Sequence, residues 1–133
     1  LYTFSDTKDL PSIHVHEGAN PIMEMPIIFH QSQINLNLTS RPIRNGVSLR
    51  VWDVLGCEGF LLTNYQNDLL LHLTPGEHLD IYTSEEDLLD KTAYYLTHPN
   101  IAKDIAHSGY EYIKEHHTYF IRCHELIQTA FSH

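Results

Sequence analysis

Residues 44–64, RNGVSLRVWDVLGCEGFLLTN, decide how the chain folds: a polar loop, a short helix and a buried strand follow one another without a break. Asn45-Gly46 permits a tight turn, since glycine takes up backbone angles other residues avoid. Val47, Val51, Val54 and Leu55 then recur at helical spacing, with Trp52 nearby, and predict a helix over 47–55. Gly56-Cys57-Glu58-Gly59 ends it, and Phe60 to Thr63 reads as an interior strand. A loop opening a helix leaves free backbone N–H groups at the positive end of the helix dipole, an arrangement suited to phosphate. Arg44 and Arg50 flank that point and can each grip a phosphate through paired hydrogen bonds. The same residues also fit an ordinary α/β unit whose arginines sit in solvent.

Working outward from this unit, Ile34-Asn35-Leu36-Asn37-Leu38 alternates strictly and predicts the strand before the loop. Further upstream, residues 1–5 and 12–16 read as two more strands. A helix with Pro21 in its first turn passes through Ile22, Met25 and Phe29, broken or kinked at Pro26. Downstream, 65–72 reads as a short helix carrying Leu69, Leu70 and Leu71, Thr74-Pro75-Gly76 as a turn, and 79–82 as a fifth strand. The last third is helical. Ser84 with Asp87 three residues on resembles a capping box, and Leu88, Leu89, Thr92, Tyr95 and Leu96 form the expected buried stripe. His98-Pro99 stops that helix. A second helix from 100 buries Ile101, Ile105, Gly109, Tyr112 and Ile113, with mid-helix Gly109 implying a close contact. A third, 118–131, has Phe120, Cys123, Ile127 and Phe131 within reach of one face.

Strands alternating with helices predict an α/β fold: a Rossmann-like parallel sheet of about five strands flanked by helices, with a helical C-terminal third. Such sheets bind ligands beyond the carboxyl ends of their strands, where residues 16–20, 39–50 and 63–68 would converge. Tyr65 and Asn67, just past a strand end, are therefore candidate ligand contacts.

The 133 residues suit one domain, 1–133. A net charge of −9 argues against nucleic acid as a partner and makes the basic Arg41–Arg50 segment a local island. Cys57, expected to be buried, and Cys123 lie outside any CxxC pattern and read as free thiols, consistent with a reducing compartment and a cytoplasmic location. No apolar run approaches the roughly 18–20 residues that span a bilayer. Asn37-Leu38-Thr39 matches a glycosylation triplet that occurs readily by chance. Eleven histidines invite a metal, yet neither His14/His16 nor His116-His117 is joined by a third ligand at suitable spacing, so no metal is expected. Asp80 reads as a strand-end polar residue, Tyr94-Tyr95 as packing residues, and Glu58 as following the helix without a general-base role.

With these elements in place, three runs carry a family resemblance: INLNLTSR…NGVSLRVWDVLGCEGFLLTNYQNDL, PGEHLDIYTSEEDLLDKTAYYLTHP and IAHSGYEYIKEHHTY. Together they resemble the C-terminal half of group 1 glycosyltransferases, in the branch related to spore maturation proteins. The resemblance covers about His14 to Phe131. It implies a GT-B enzyme of two Rossmann-like domains, in which this one binds a nucleotide-diphosphate sugar and a missing N-terminal one brings the acceptor. No bound divalent ion or other cofactor is expected. It also implies backbone or hydroxyl donors to the diphosphate from Gly46, Val47 and Ser48, with Arg50 and Arg44 as countercharges. Many relatives carry two glutamates with seven residues between them around the central helix; here Asn45 and Asp53 stand at those positions. Asp53 can still accept from ribose hydroxyls, whereas Asn45 contacts a hexose hydroxyl but brings no negative charge. No catalytic residue is assigned, and the domain is expected to be a fragment that does not turn over alone. The alternative is a non-catalytic nucleotide-binding or interaction module with the same fold.

Overall fold

The computed structural model describes residues 16, 18–39 and 46–131. Nine elements follow in order: α1 (Met25–Gln31), β1 (Asn35–Asn37), α2 (Leu49–Gly56), β2 (Leu61–Asn64), a 3-10 turn (Asn67–Leu71), β3 (Asp80–Tyr82), α3 (Glu85–Thr97), α4 (Pro99–His116) and α5 (Tyr119–Phe131). The three strands form a parallel sheet in the order β1-β2-β3. Asn35 is registered with Leu61, and Leu62 with Asp80. Among the described residues the sheet thus has three strands, not the expected five. Of the two upstream strands, 1–5 and 12–15 lie outside the described residues.

The alternation of a strand's side chains places a core on each face of this sheet. Leu61 joins Val51, Val54, Leu55, Leu69, Leu73, Leu79 and Ile113 on one face. Phe60 and Leu62 join Tyr82, Tyr95, Ala102, Ile105 and Ala106 on the other. Leu55, Leu61, Leu62 and Leu79 are fully buried. Truncating any one of them to alanine removes apolar contact and leaves a cavity, at a cost of about 2–5 kcal/mol. Helix α4 feeds both cores, Ala102 to Ala106 into the second and Ile113 into the first. Gly109 lies between. A Cβ there would collide with the His78 carbonyl oxygen and come within 3.0 Å of Leu55 Cδ2, so the close contact implied by a mid-helix glycine is present.

Several elements differ from their sequence reading, for local reasons. Proline lacks the N–H an interior helical turn requires, so Pro26 sits in the first turn of α1 and the helix begins there instead of kinking. Asn20 Oδ1 accepts the Ile22 and Met23 amides at 3.0 Å each and holds the residues before α1 as a turn. Within 65–72 only Asn67–Leu71 turns, as a 3-10 helix in which Leu69 is buried and Leu70 and Leu71 are exposed. In α3 the buried stripe narrows to Tyr95 with half-buried Leu88 and Thr92, while Leu89 and Leu96 step off to solvent. In α4, Ala102 and Ala106 are buried and Ile101 is exposed. The expected stripe of α5 is exposed throughout. The cap of α3 is shared: Ser84 Oγ accepts the Asp87 amide at 3.1 Å, and Asp87 Oδ2 accepts from Thr83 N at 2.9 Å instead of from Ser84.

Candidate functional site

The site is built where β1 and β2 end. Beyond the loop that follows β1, Gly46 has φ +94, a left-handed angle that glycine adopts without strain. Val47 packs against the first core, which anchors the loop and leaves its backbone as the only polar part. Ser48 caps α2, its Oγ accepting the Arg50 amide at 3.3 Å and its carbonyl the Val51 amide at 3.0 Å. A capped helix of eight residues therefore starts at the carboxyl end of the sheet.

Arg50 does not point freely into solvent. Its guanidinium lies over the Phe29 ring, 5.3 Å from the centroid, with Nη1 3.7 Å from Met25 Sδ and 3.9 Å from Asp53 Oδ2. Arg50 and Asp53 form a half-exposed pair one turn apart on α2, a geometry worth at most a few tenths of a kcal/mol. Either side chain can leave that pair at little cost. Tyr65 and Asn67 are exposed beside the end of β2, Tyr65 fixed by its amide to the Tyr82 carbonyl at 3.1 Å. The Gly46 amide donates to Asp68 Oδ2, which ties the α2 loop to the 3-10 turn. Gly46, Val47, Ser48, Arg50 and Asp53 thus share the start of α2, with Tyr65 and Asn67 next to it across that bond. Arg44 and Asn45 lie outside the described residues.

Sequence reading missed Asp68 because nothing in the run NDL marks it; only the parallel pairing of β1 with β2 brings it to Gly46. It missed equally a cluster of neutral polar groups. Asn37 Nδ2 donates to Thr63 Oγ1 at 3.1 Å and to Thr39 Oγ1 at 3.3 Å. Asn64 clamps the Thr39 backbone from both sides, accepting its amide at 2.9 Å and donating to its carbonyl at 3.4 Å. Gln66 Nε2 donates to Thr39 Oγ1 at 3.0 Å and Thr63 Oγ1 at 3.4 Å. These bonds bury the Asn37 amide nitrogen, so the glycosylation triplet is no acceptor in the folded chain. The strict apolar–polar alternation of 34–38 was the available signal: a polar residue within a parallel strand has to be satisfied inside the protein.

Other groups serve the fold. Asp80, read as a strand-end residue, is buried and accepts from Tyr95 Oη at 2.8 Å, Lys91 Nζ at 3.0 Å and its neighbour's amide, Ile81 N, at 2.8 Å. Burial, followed by the bond to Asp80, raises the Tyr95 phenol far above its usual range and keeps it a neutral donor. Tyr94 is exposed and stacks on His98. Cys57 is half-buried, not buried, and burial with the nearby Asp53 charge pushes its thiol up, away from the nucleophilic thiolate. Glu58 takes φ +57 after α2 and bonds His107 Nδ1 at 2.7 Å. Among the described residues no group of three or more His, Cys, Asp or Glu side chains is placed to hold a metal ion.

A capped helix start, an arginine–carboxylate pair that parts at little cost and a polar strand end make a surface able to take an anion beside a polyhydroxylated group. A family model described as glycosyl transferase-like matches residues 7–128. The chain belongs to this glycosyl transferase-like family. No curated protein and no solved structure matches it. The domain is therefore a sugar-transfer domain by family, α/β in class, with a small parallel sheet flanked by helices. No helix among the described residues is long and apolar enough to cross a membrane.

Proposed function

We propose that the domain binds a nucleotide-diphosphate sugar and presents it for transfer to an acceptor held by a second domain, in a two-domain GT-B hexosyltransferase of the cytoplasm. The observation that carries this reading is the capped start of α2 at the carboxyl ends of β1 and β2, with Arg50 and Asp53 on its first turns. The diphosphate lies against the amides of 46–48 with Arg50, and Arg44 where it reaches, as countercharge. Asp53 accepts from ribose hydroxyls, and Asn45, Tyr65 and Asn67 complete the contacts. A diphosphate arriving there displaces the Asp68 carboxylate from the Gly46 amide. The domain alone does not turn over, because transfer needs donor and acceptor held together.

A non-catalytic nucleotide-binding module with the same fold is the second reading, favoured by Asn45 at a position where many relatives carry glutamate. Both readings share the nucleotide site, and activity of the full enzyme separates them. Titration with UDP, GDP and their sugars, followed by amide NMR shifts, tests that site; no shift in residues 46–53 at millimolar ligand would refute it. Arg50→Ala is expected to weaken diphosphate binding by about 1.5–3 kcal/mol, the range for a charged hydrogen bond. Unchanged affinity in that variant would remove Arg50 from the site.

A further inference from the structure

The polar cluster at the ends of β1 and β2 has bonding capacity left over. Thr39 Oγ1 receives N–H groups from Asn37 and Gln66, and so does Thr63 Oγ1, at 3.0–3.4 Å. A hydroxyl has two acceptor sites and one proton to give. Both acceptor sites of both threonines are filled, and each O–H remains to be donated. Gln66 Oε1 is buried with no hydrogen-bond partner. Gln66 is 8% exposed and Thr63 0%, so bulk water does not serve these two side chains. Among the described residues the cluster thus holds two hydroxyl protons and one carbonyl oxygen unused. A buried carbonyl without a partner is destabilising, and such a group calls for an explanation.

A sugar hydroxyl gives one proton and accepts others, the complement of this set. The position fits as well: ligands of parallel sheets bind past the strand ends, and the Gly46–Asp68 bond brings the start of α2 to the turn that follows Gln66. We propose that Gln66, held by Thr39 and Thr63, is a specificity-determining residue that reads a hydroxyl of the bound nucleotide sugar through its carboxamide oxygen. This rests on the donor-site reading above. The hydroxyl belongs either to the ribose or to the transferred sugar.

Calorimetric affinities of the whole chain for UDP-glucose, UDP and 2′-deoxy-UDP, with the guanosine series in parallel, test the assignment. Gln66→Met keeps the length of the side chain and removes the carboxamide. In the wild type, one hydroxyl-bearing ligand is expected to bind at least tenfold tighter than its counterpart lacking that hydroxyl. Gln66→Met is expected to erase that preference. Loss of the UDP over deoxy-UDP ratio assigns the ribose; loss of the UDP-glucose over UDP ratio assigns the transferred sugar. Ratios unchanged by Gln66→Met, with binding intact, overturn the proposal and leave the donor site standing, whereas a wild type that binds no nucleotide overturns both. Should circular dichroism show Gln66→Met unfolded, Thr39→Val takes its place: the preference is expected to vanish there too, and unchanged ratios overturn the proposal equally.

Discussion

Two buried polar clusters sit at opposite sides of β2, and they differ in how completely they are satisfied. At β3, Asp80 has its oxygens taken by Tyr95, Lys91 and the Ile81 amide, and Lys91 also reaches the Ile81 carbonyl at 2.6 Å. That cluster locks α3 to the sheet, and each of its three side chains has a partner. At β1, the neutral cluster of Asn37, Thr39, Thr63 and Gln66 leaves an acceptor and two donors unused. A charge kept inside a protein has to be paired, while neutral groups can wait for a partner at modest cost. The charged cluster is consequently structural, and the neutral one holds the side chain we assign to a ligand.

Breaking the closed cluster should show the largest effect. Asp80→Ala takes the shared acceptor from the buried Tyr95 hydroxyl and the partly exposed Lys91 ammonium and is expected to cost about 1.5–3 kcal/mol, the range for a hydrogen bond to a charged group. The urea midpoint should fall with an unchanged m-value. A cost below about 1 kcal/mol would place Asp80 among surface ion pairs and dissolve the contrast. Thr63→Val probes the open cluster with a side chain of nearly the same shape. Asn37 and Gln66 both keep Thr39 as an acceptor, so the loss should be about 1 kcal/mol, that of one ordinary hydrogen bond. Equal losses in the two variants would mean that the β1 cluster is as tightly closed as the other.

The same contrast separates what the sequence discloses from what it hides. Val51, Val54, Leu55 and the run 60–62 announce helix, strand and core because burial follows from their type and period alone. Gly109 also announces itself, since few other reasons keep glycine in mid-helix. The start of α2 was legible approximately through the Asn45-Gly46 turn, whose chemistry is local, but the helix expected from Val47 opens at Leu49 behind a Ser48 cap that was not read as one. Asp68 at Gly46 and Gln66 at Thr39 depend on pairs 22 and 27 residues apart, set by strand register that no local pattern encodes. Arg50 was legible as a charge, but its resting place over Phe29 depends on how α1 packs against α2. The narrowing of α3 has the same origin: periodicity marks which residues are able to be buried, and the neighbouring elements decide how many are.

The smallest effect should come from the corner between α4 and α5, outside both clusters. There Arg122 Nη2 lies 2.5 Å from His117 Nδ1. Arginine has no acceptor, so Nδ1 accepts and the ring carries no proton on that nitrogen. The His117 ring also faces Trp52 at 4.9 Å, His72 at 5.6 Å and Tyr112 at 5.4 Å. Burial first, then Arg122, His72 and His116, hold its pKa below the usual 6.5, against a smaller upward pull from Glu125. Above the unfolded value, near 6.5, folded and unfolded chains are both neutral at this site and its contribution to stability is complete. As pH falls from there toward the depressed folded value, the unfolded chain takes the proton first and stability declines. One such proton gives at most ~1.4 kcal/mol per pH unit, and the partial exposure of this corner brings the slope below that. His78, also depressed mainly by burial, adds a decline of the same sign. Melting temperatures read between about pH 7.5 and 5.5 should therefore fall on acidification, and His117→Gln, which keeps an acceptor for Arg122 but cannot titrate, should flatten the fall without abolishing it. An identical slope in wild type and variant would mean that His117 is not the group that senses pH here, and that the α4–α5 corner is held by the packing of Trp52 and Tyr112 alone.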